Sequence, residues 1–74
     1  MESYERIKEI REQKGLSLPE VARVLNVSEK RLYEWECGRG AMPTHCYIKL
    51  AVFYDLSLDY ISGLNDTPRK LREQ

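Results

Sequence analysis

The stretch SLPEVARVLNVSEKRLYEWECG, residues 17–38, decides how this chain folds. Ser17-Leu18-Pro19-Glu20 reads as a helix start. The Ser17 hydroxyl can accept an amide proton, Glu20 can reach back, and Pro19 is tolerated in a first turn. Leu18, Val21, Ala22 and Leu25 then share one helical face, and Asn26 suits a left-handed turn. Ser28 opens a second helix, where Trp35 and Glu36 follow Leu32 at spacings of three and four. Gly38 and Gly40 end it.

Only the turn around Asn26 separates these two helices, which is too tight for antiparallel packing. The second helix must cross the first and project outward, the arrangement of a helix-turn-helix unit. Val21, Ala22, Val27, Leu32 and Trp35 supply a small apolar wedge for the crossing. A larger side chain at Ala22 would force the helices apart, and such overpacking costs ~1–3 kcal/mol. A projecting helix of this width fits the major groove of DNA.

Outward from this unit the chain reads as more helix, with no strand alternation. Tyr4, Ile7 and Ile10 recur at helical spacing until Gly15. Past a loop closing at Met42-Pro43, Thr44 is expected to cap a fourth helix with Tyr47, Leu50, Ala51 and Tyr54 on one face. The neighbouring Ile48, Val52 and Phe53 are expected to pack against the last helix. Ser57 caps that short helix, whose Leu58, Ile61 and Leu64 are expected to pack back. The expected architecture is all-α, five helices in one domain over residues 1–64. A polar, flexible tail, 65–74, carries Pro68 and a solvated cluster of Arg69, Lys70 and Arg72.

The chain has 74 residues, room for one small domain. Twelve basic and twelve acidic residues cancel, which argues against indiscriminate coating of a phosphate backbone but allows a local basic face. No apolar run has the length of a membrane span, and the charged start MESYERIKEI is not a signal peptide, so a cytoplasmic protein with no membrane partner is expected. Cys37 and Cys46 read as reduced thiols. No metal site is expected, since the four-ligand spacing of structural zinc is absent. No cofactor and no catalytic residue are expected either. The sequence has no Gly-rich phosphate loop, and on a helix His45 and Cys46 point about 100° apart, unsuited to a nucleophile–base pair.

Four segments together resemble the Xre-like, lambda-repressor/Cro-type helix-turn-helix family: RIKEIREQKGLS (6–17), EVARVLNVS (20–28), WECG (35–38) and PTHCYIKLAVFYDLSLDYISGLND (43–66). The last resembles versions common in Gram-positive bacteria and their mobile elements. The resemblance implies a lambda-repressor-like fold and a DNA-binding transcriptional regulator, expected to be a dimeric repressor on a palindromic operator with helix 28–37 in the major groove. It implies base contacts from Glu29, Lys30, Tyr33 and Glu34, and phosphate contacts from Ser17, Leu18, Ser28, Arg31, Arg39 and Thr44. It further implies an internal pair of Arg11 with Glu36. With Glu36 turned inward, Lys30, Arg31 and Arg39 oppose Glu29 and Glu34 between Ser28 and Gly40, a slightly basic surface.

The chain departs from its relatives in three places. Leu18 stands where many carry a phosphate-clamping glutamine, Glu29, Arg31 and Glu34 where small polar residues or glutamine are frequent, and Gly40, Ala41 and Met42 where basic residues are frequent. With ionic contacts from Lys30, Arg31 and Arg39, one protomer neutralises about three phosphates, each changing the salt slope by about −0.9. A homodimer doubles this and sets its recognition helices about 34 Å apart. The alternative is a protein-interaction module of the same fold, antitoxin-like or an anti-repressor partner, with weak or no DNA binding. Neutral charge, Leu18 and the two glutamates favour it.

Overall fold

The computed structural model describes residues 2–68, with five helices in order: α1 (Ser3–Gln13), α2 (Leu18–Leu25), α3 (Glu29–Glu36), α4 (Thr44–Tyr54) and α5 (Leu58–Ile61). No strand occurs among the described residues. The cluster Arg69, Lys70 and Arg72 lies outside them.

The caps set these boundaries. The Glu20 amide donates to Ser17 Oγ at 3.3 Å while the Ser17 amide donates to Glu20 Oε1 at 2.9 Å, a reciprocal capping box. Ser28 accepts from the Arg31 amide at 3.1 Å and Ser57 from the Tyr60 amide at 3.2 Å. Helix α4 starts differently from expectation. Pro43, at φ −61° and ψ 151°, occupies the cap position, so Thr44 is already helical and its hydroxyl caps nothing. The C-termini share one solution: all five helices close with paired backbone bonds of the Schellman type, through a left-handed residue at Gly15, Asn26, Gly38, Asp55 or Gly63.

The core gathers Ile7 and Ile10 of α1, Val21, Ala22 and Leu25 of α2, Leu32 and Trp35 of α3, Cys46, Leu50, Ala51 and Tyr54 of α4, and Tyr60 and Ile61 of α5, with Met42 from the loop. Helix α3 packs on α1 and α2, while α4 and α5 close the other side. Gly38 has a second reason to be glycine. At φ +80°, an added Cβ would lie 3.2 Å from the Tyr4 ring, so α1 reaches the end of α3 only over a bare backbone.

Of the three residues expected to pack back at the last helix, Ile61 does and Leu58 and Leu64 do not. Tyr60 and Ile61 are buried, whereas Leu58 is 39% and Leu64 83% exposed. A four-residue helix has one inward side, and the turn at Gly63 directs Leu64 outward. Ile48, Val52 and Phe53, expected to pack against α5, are 49%, 63% and 48% exposed. Arg6, by contrast, is buried. Its Nη1 donates to the Tyr60 and Asn65 carbonyls at 2.8 and 3.2 Å, and its Nη2 to Asp66 Oδ1 at 2.7 Å. Its guanidinium also lies 4.0 Å from the Tyr60 ring centroid. These contacts satisfy carbonyls at the end of α5 and tie residues 65 and 66, the start of the expected tail, to α1.

Candidate nucleic-acid interface

Helix α3 has two faces with separate duties. Leu32, Trp35 and Glu36 are buried. Glu36 accepts a forked pair of bonds from Arg11, Nε to Oε2 at 2.8 Å and Nη2 to Oε1 at 3.0 Å, while Arg11 Nη1 donates to the Leu16 carbonyl at 2.8 Å. The hydrogen bonds to Glu36 hold the Arg11 guanidinium more firmly protonated than usual, against the opposing effect of burial. One glutamate is thereby removed from the exposed charge of the helix.

The other face is turned to solvent. Lys30, Arg31, Tyr33 and Cys37 are exposed, and Glu34 is half-buried. Lys30 and Glu34 each stand two residues from Leu32, which places both about 160° around the helix from that buried side chain. Among the described residues, Glu29, Lys30, Arg31, Glu34 and Arg39 enter no ion pair. Glu29 is exposed but sits to the flank, bordering a groove with Pro19, Ala22, Arg23, Asn26 and Val27. Its carboxylate stands at the N-terminal end of α3, where the helix dipole favours it.

The phosphate-contact candidates fall at three helix starts. At α2 the capping box occupies the Ser17 and Glu20 amides, and Pro19 has none. The Leu18 amide is therefore the donor left in that turn, beside a Ser17 hydroxyl that can still give its proton. Glu20 stays ionised to lower pH than usual, chiefly through the bond from the Ser17 amide, so a carboxylate shares this corner. At the starts of α3 and α4, Ser28 and Arg31 line a cleft with Val27, Trp35, Pro43, His45 and Cys46. Thr44, exposed, is next to it in sequence at an α4 terminus that has no side-chain cap. Arg31 beside uncapped amides is chemically suited to a phosphate oxygen. Arg39 is exposed just past α3, its amide held by the Glu34 carbonyl at 2.8 Å.

A helix-turn-helix domain family model matches residues 5–61. The chain belongs to the helix-turn-helix domain family. A search of the solved structures finds a likeness of fold to a transcriptional regulator from Listeria innocua, with TM-score 0.80 and 24% sequence identity. That match covers 84% of this chain and 58% of the Listeria protein. No curated protein matches. In this helix-turn-helix domain, α2 and α3 are the two helices of the unit, and the outer face of α3 is exposed at Lys30, Arg31 and Tyr33.

Two features of that face were not singled out from sequence. Cys37 stands three residues from Glu34 and seven from Lys30, so it extends their stripe. That spacing is legible in the sequence. His45 lines the Arg31 cleft because α4 starts beside α3, a neighbourhood no local pattern encodes.

Proposed function

We propose that this protein is a sequence-specific, double-stranded DNA-binding transcriptional regulator, a cytoplasmic homodimeric repressor that lays α3 of each protomer into the major groove of a palindromic operator. The observation that carries this reading is the division of α3. Its inner side is bolted to α1 and α2, and its outer side presents Tyr33 with Lys30, Arg31 and Glu34, which enter no ion pair among the described residues. Membership of the helix-turn-helix family and the fold of the Listeria regulator support it. Phosphate contacts are assigned to Ser17, Leu18, Ser28, Arg31, Arg39 and Thr44, and base contacts to Glu29, Lys30, Tyr33 and Glu34. The activity is binding, with no catalytic step and no cofactor.

Fluorescence anisotropy with duplexes from the protein's own promoter region tests it. Saturable binding that depends on the palindrome is the expected result, with a log K against log salt slope of about −4 for a dimer whose Arg31 and Arg39 make two ionic phosphate contacts per protomer. Removing Arg31 should reduce the slope by about 2, one contact per protomer. Equal, feeble affinity for every duplex would overturn the reading.

One observation favours a second reading, a protein-interaction module of the same fold. Ile48 and Val52 are adjacent on one side of α4 and, with Phe53, leave apolar surface in water. Capture of one stoichiometric protein partner, in a protein that binds no duplex, would establish that reading instead.

A further inference from the structure

Lys30 and Glu34 are one helical turn apart on the outer side of α3, and neither is neutralised by an ion pair among the described residues. They are also opposite in hydrogen-bonding character. The ammonium only donates and the carboxylate only accepts. In the major groove, guanine presents two adjacent acceptors, O6 and N7, which suit a lysine; adenine and cytosine turn an amino group toward it. A carboxylate needs a donor. Cytosine N4 has an acceptor on one side only, the O6 of its paired guanine, whereas adenine N6 stands between its own N7 and the O4 of the paired thymine, so one of these lone pairs would face the second carboxylate oxygen.

Taking the DNA-binding reading as its basis, we propose that each operator half-site is built on G·C pairs, with guanine read by Lys30 and cytosine by Glu34. Four residues of helix rise about 6 Å, close to two base-pair steps, so the two bases lie about two steps apart. The same pairing accounts for the acidic character of the helix. Near phosphates a glutamate without a donor is repelled, so Glu34 penalises every site that lacks the cytosine. Selectivity then comes from rejection of wrong sequences as much as from attraction to the right one, in keeping with a chain of zero net charge.

Selection from random duplexes at low salt, run in parallel on the native chain, Glu34→Gln and Lys30→Ala, tests this, with circular dichroism to establish that each variant is folded. The native chain should enrich a half-site holding one guanine and one cytosine about two steps apart. Glu34→Gln should move the cytosine position toward adenine, which glutamine can hold through N6 and N7, and weaken binding to the native site on the order of tenfold. Lys30→Ala should erase only the guanine preference. An enriched motif of A·T pairs alone, or a Glu34→Gln motif identical to the native one, overturns the base assignment while leaving DNA binding intact. Failure of the native chain to retain any duplex at low salt instead overturns the DNA-binding reading beneath it.

Discussion

Arg11 and Glu36, separated by 25 residues in sequence, meet in a two-pronged ion pair that fastens α1 to α3. The pair is unequal. The Glu36 side chain is 3% exposed and the Arg11 side chain 12%, and Arg11 keeps a second partner in the Leu16 carbonyl. Loss of either partner strands the other, but stranding Glu36 is worse because it is the deeper group.

Arg11→Ala is accordingly expected to destabilise the fold by about 3–5 kcal/mol, and Glu36→Ala by less, each read from urea denaturation midpoints. If Glu36→Ala proved the costlier change, the carboxylate would not be the group that depends on its partner. The same pair holds α3 at its angle, so duplex affinity should fall with stability in both variants.

The two thiols should differ sharply in reactivity. Cys37 is exposed on the outer stripe of α3, whereas Cys46 is buried and its thiol is pushed up mainly by that burial. A maleimide is expected to modify one site per chain rapidly, Cys37 by peptide mapping. Operator duplex should slow that reaction if, as proposed, the stripe it continues lies in the groove. Undiminished labelling on a saturated operator would place the outer face of α3 away from DNA.

Tyr54 gives the fold a defined alkaline limit. Its hydroxyl is buried with no hydrogen-bond partner among the described residues, and burial, reinforced by the nearby Glu36 charge, pushes its pKa up to about 12 from an ordinary 10.0. A raised folded-state value means the contribution is intact below about pH 10 and is lost as pH rises toward 12, because the unfolded chain ionises first. Tyr54→Phe should flatten this alkaline loss of stability. At neutral pH it should leave stability unchanged or raise it by up to about 1 kcal/mol, since it removes a buried, unmatched polar atom. Denaturation midpoints at neutral pH and near pH 11 check both; a clear neutral-pH loss would show that the hydroxyl has a partner.

The first turns of α2, α3 and α5 were legible because Ser17, Ser28 and Ser57 act on amides three residues away. The crossing of α2 and α3 was legible for the same reason: Asn26 and the apolar wedge lie within one short stretch. Pro43 displaced the expected Thr44 cap by one residue, since its ring already holds the extended backbone that a cap requires. The fates of the exposed apolar residues were not legible. Helical spacing placed Ile48 and Val52 beside the core face of α4, and the tertiary packing leaves them 49% and 63% exposed.

By itself, then, the chain determined its helices, its caps and the projecting unit between Ser17 and Gly38, because those depend on residues three to five apart. Tertiary structure decided which charges go inward. Arg6 is buried where Tyr60, Asn65 and Asp66 return to it from 54 to 60 residues away. A guanidinium can leave water only where carbonyls and a carboxylate replace its hydration, and those arrive only when the whole chain has closed on itself.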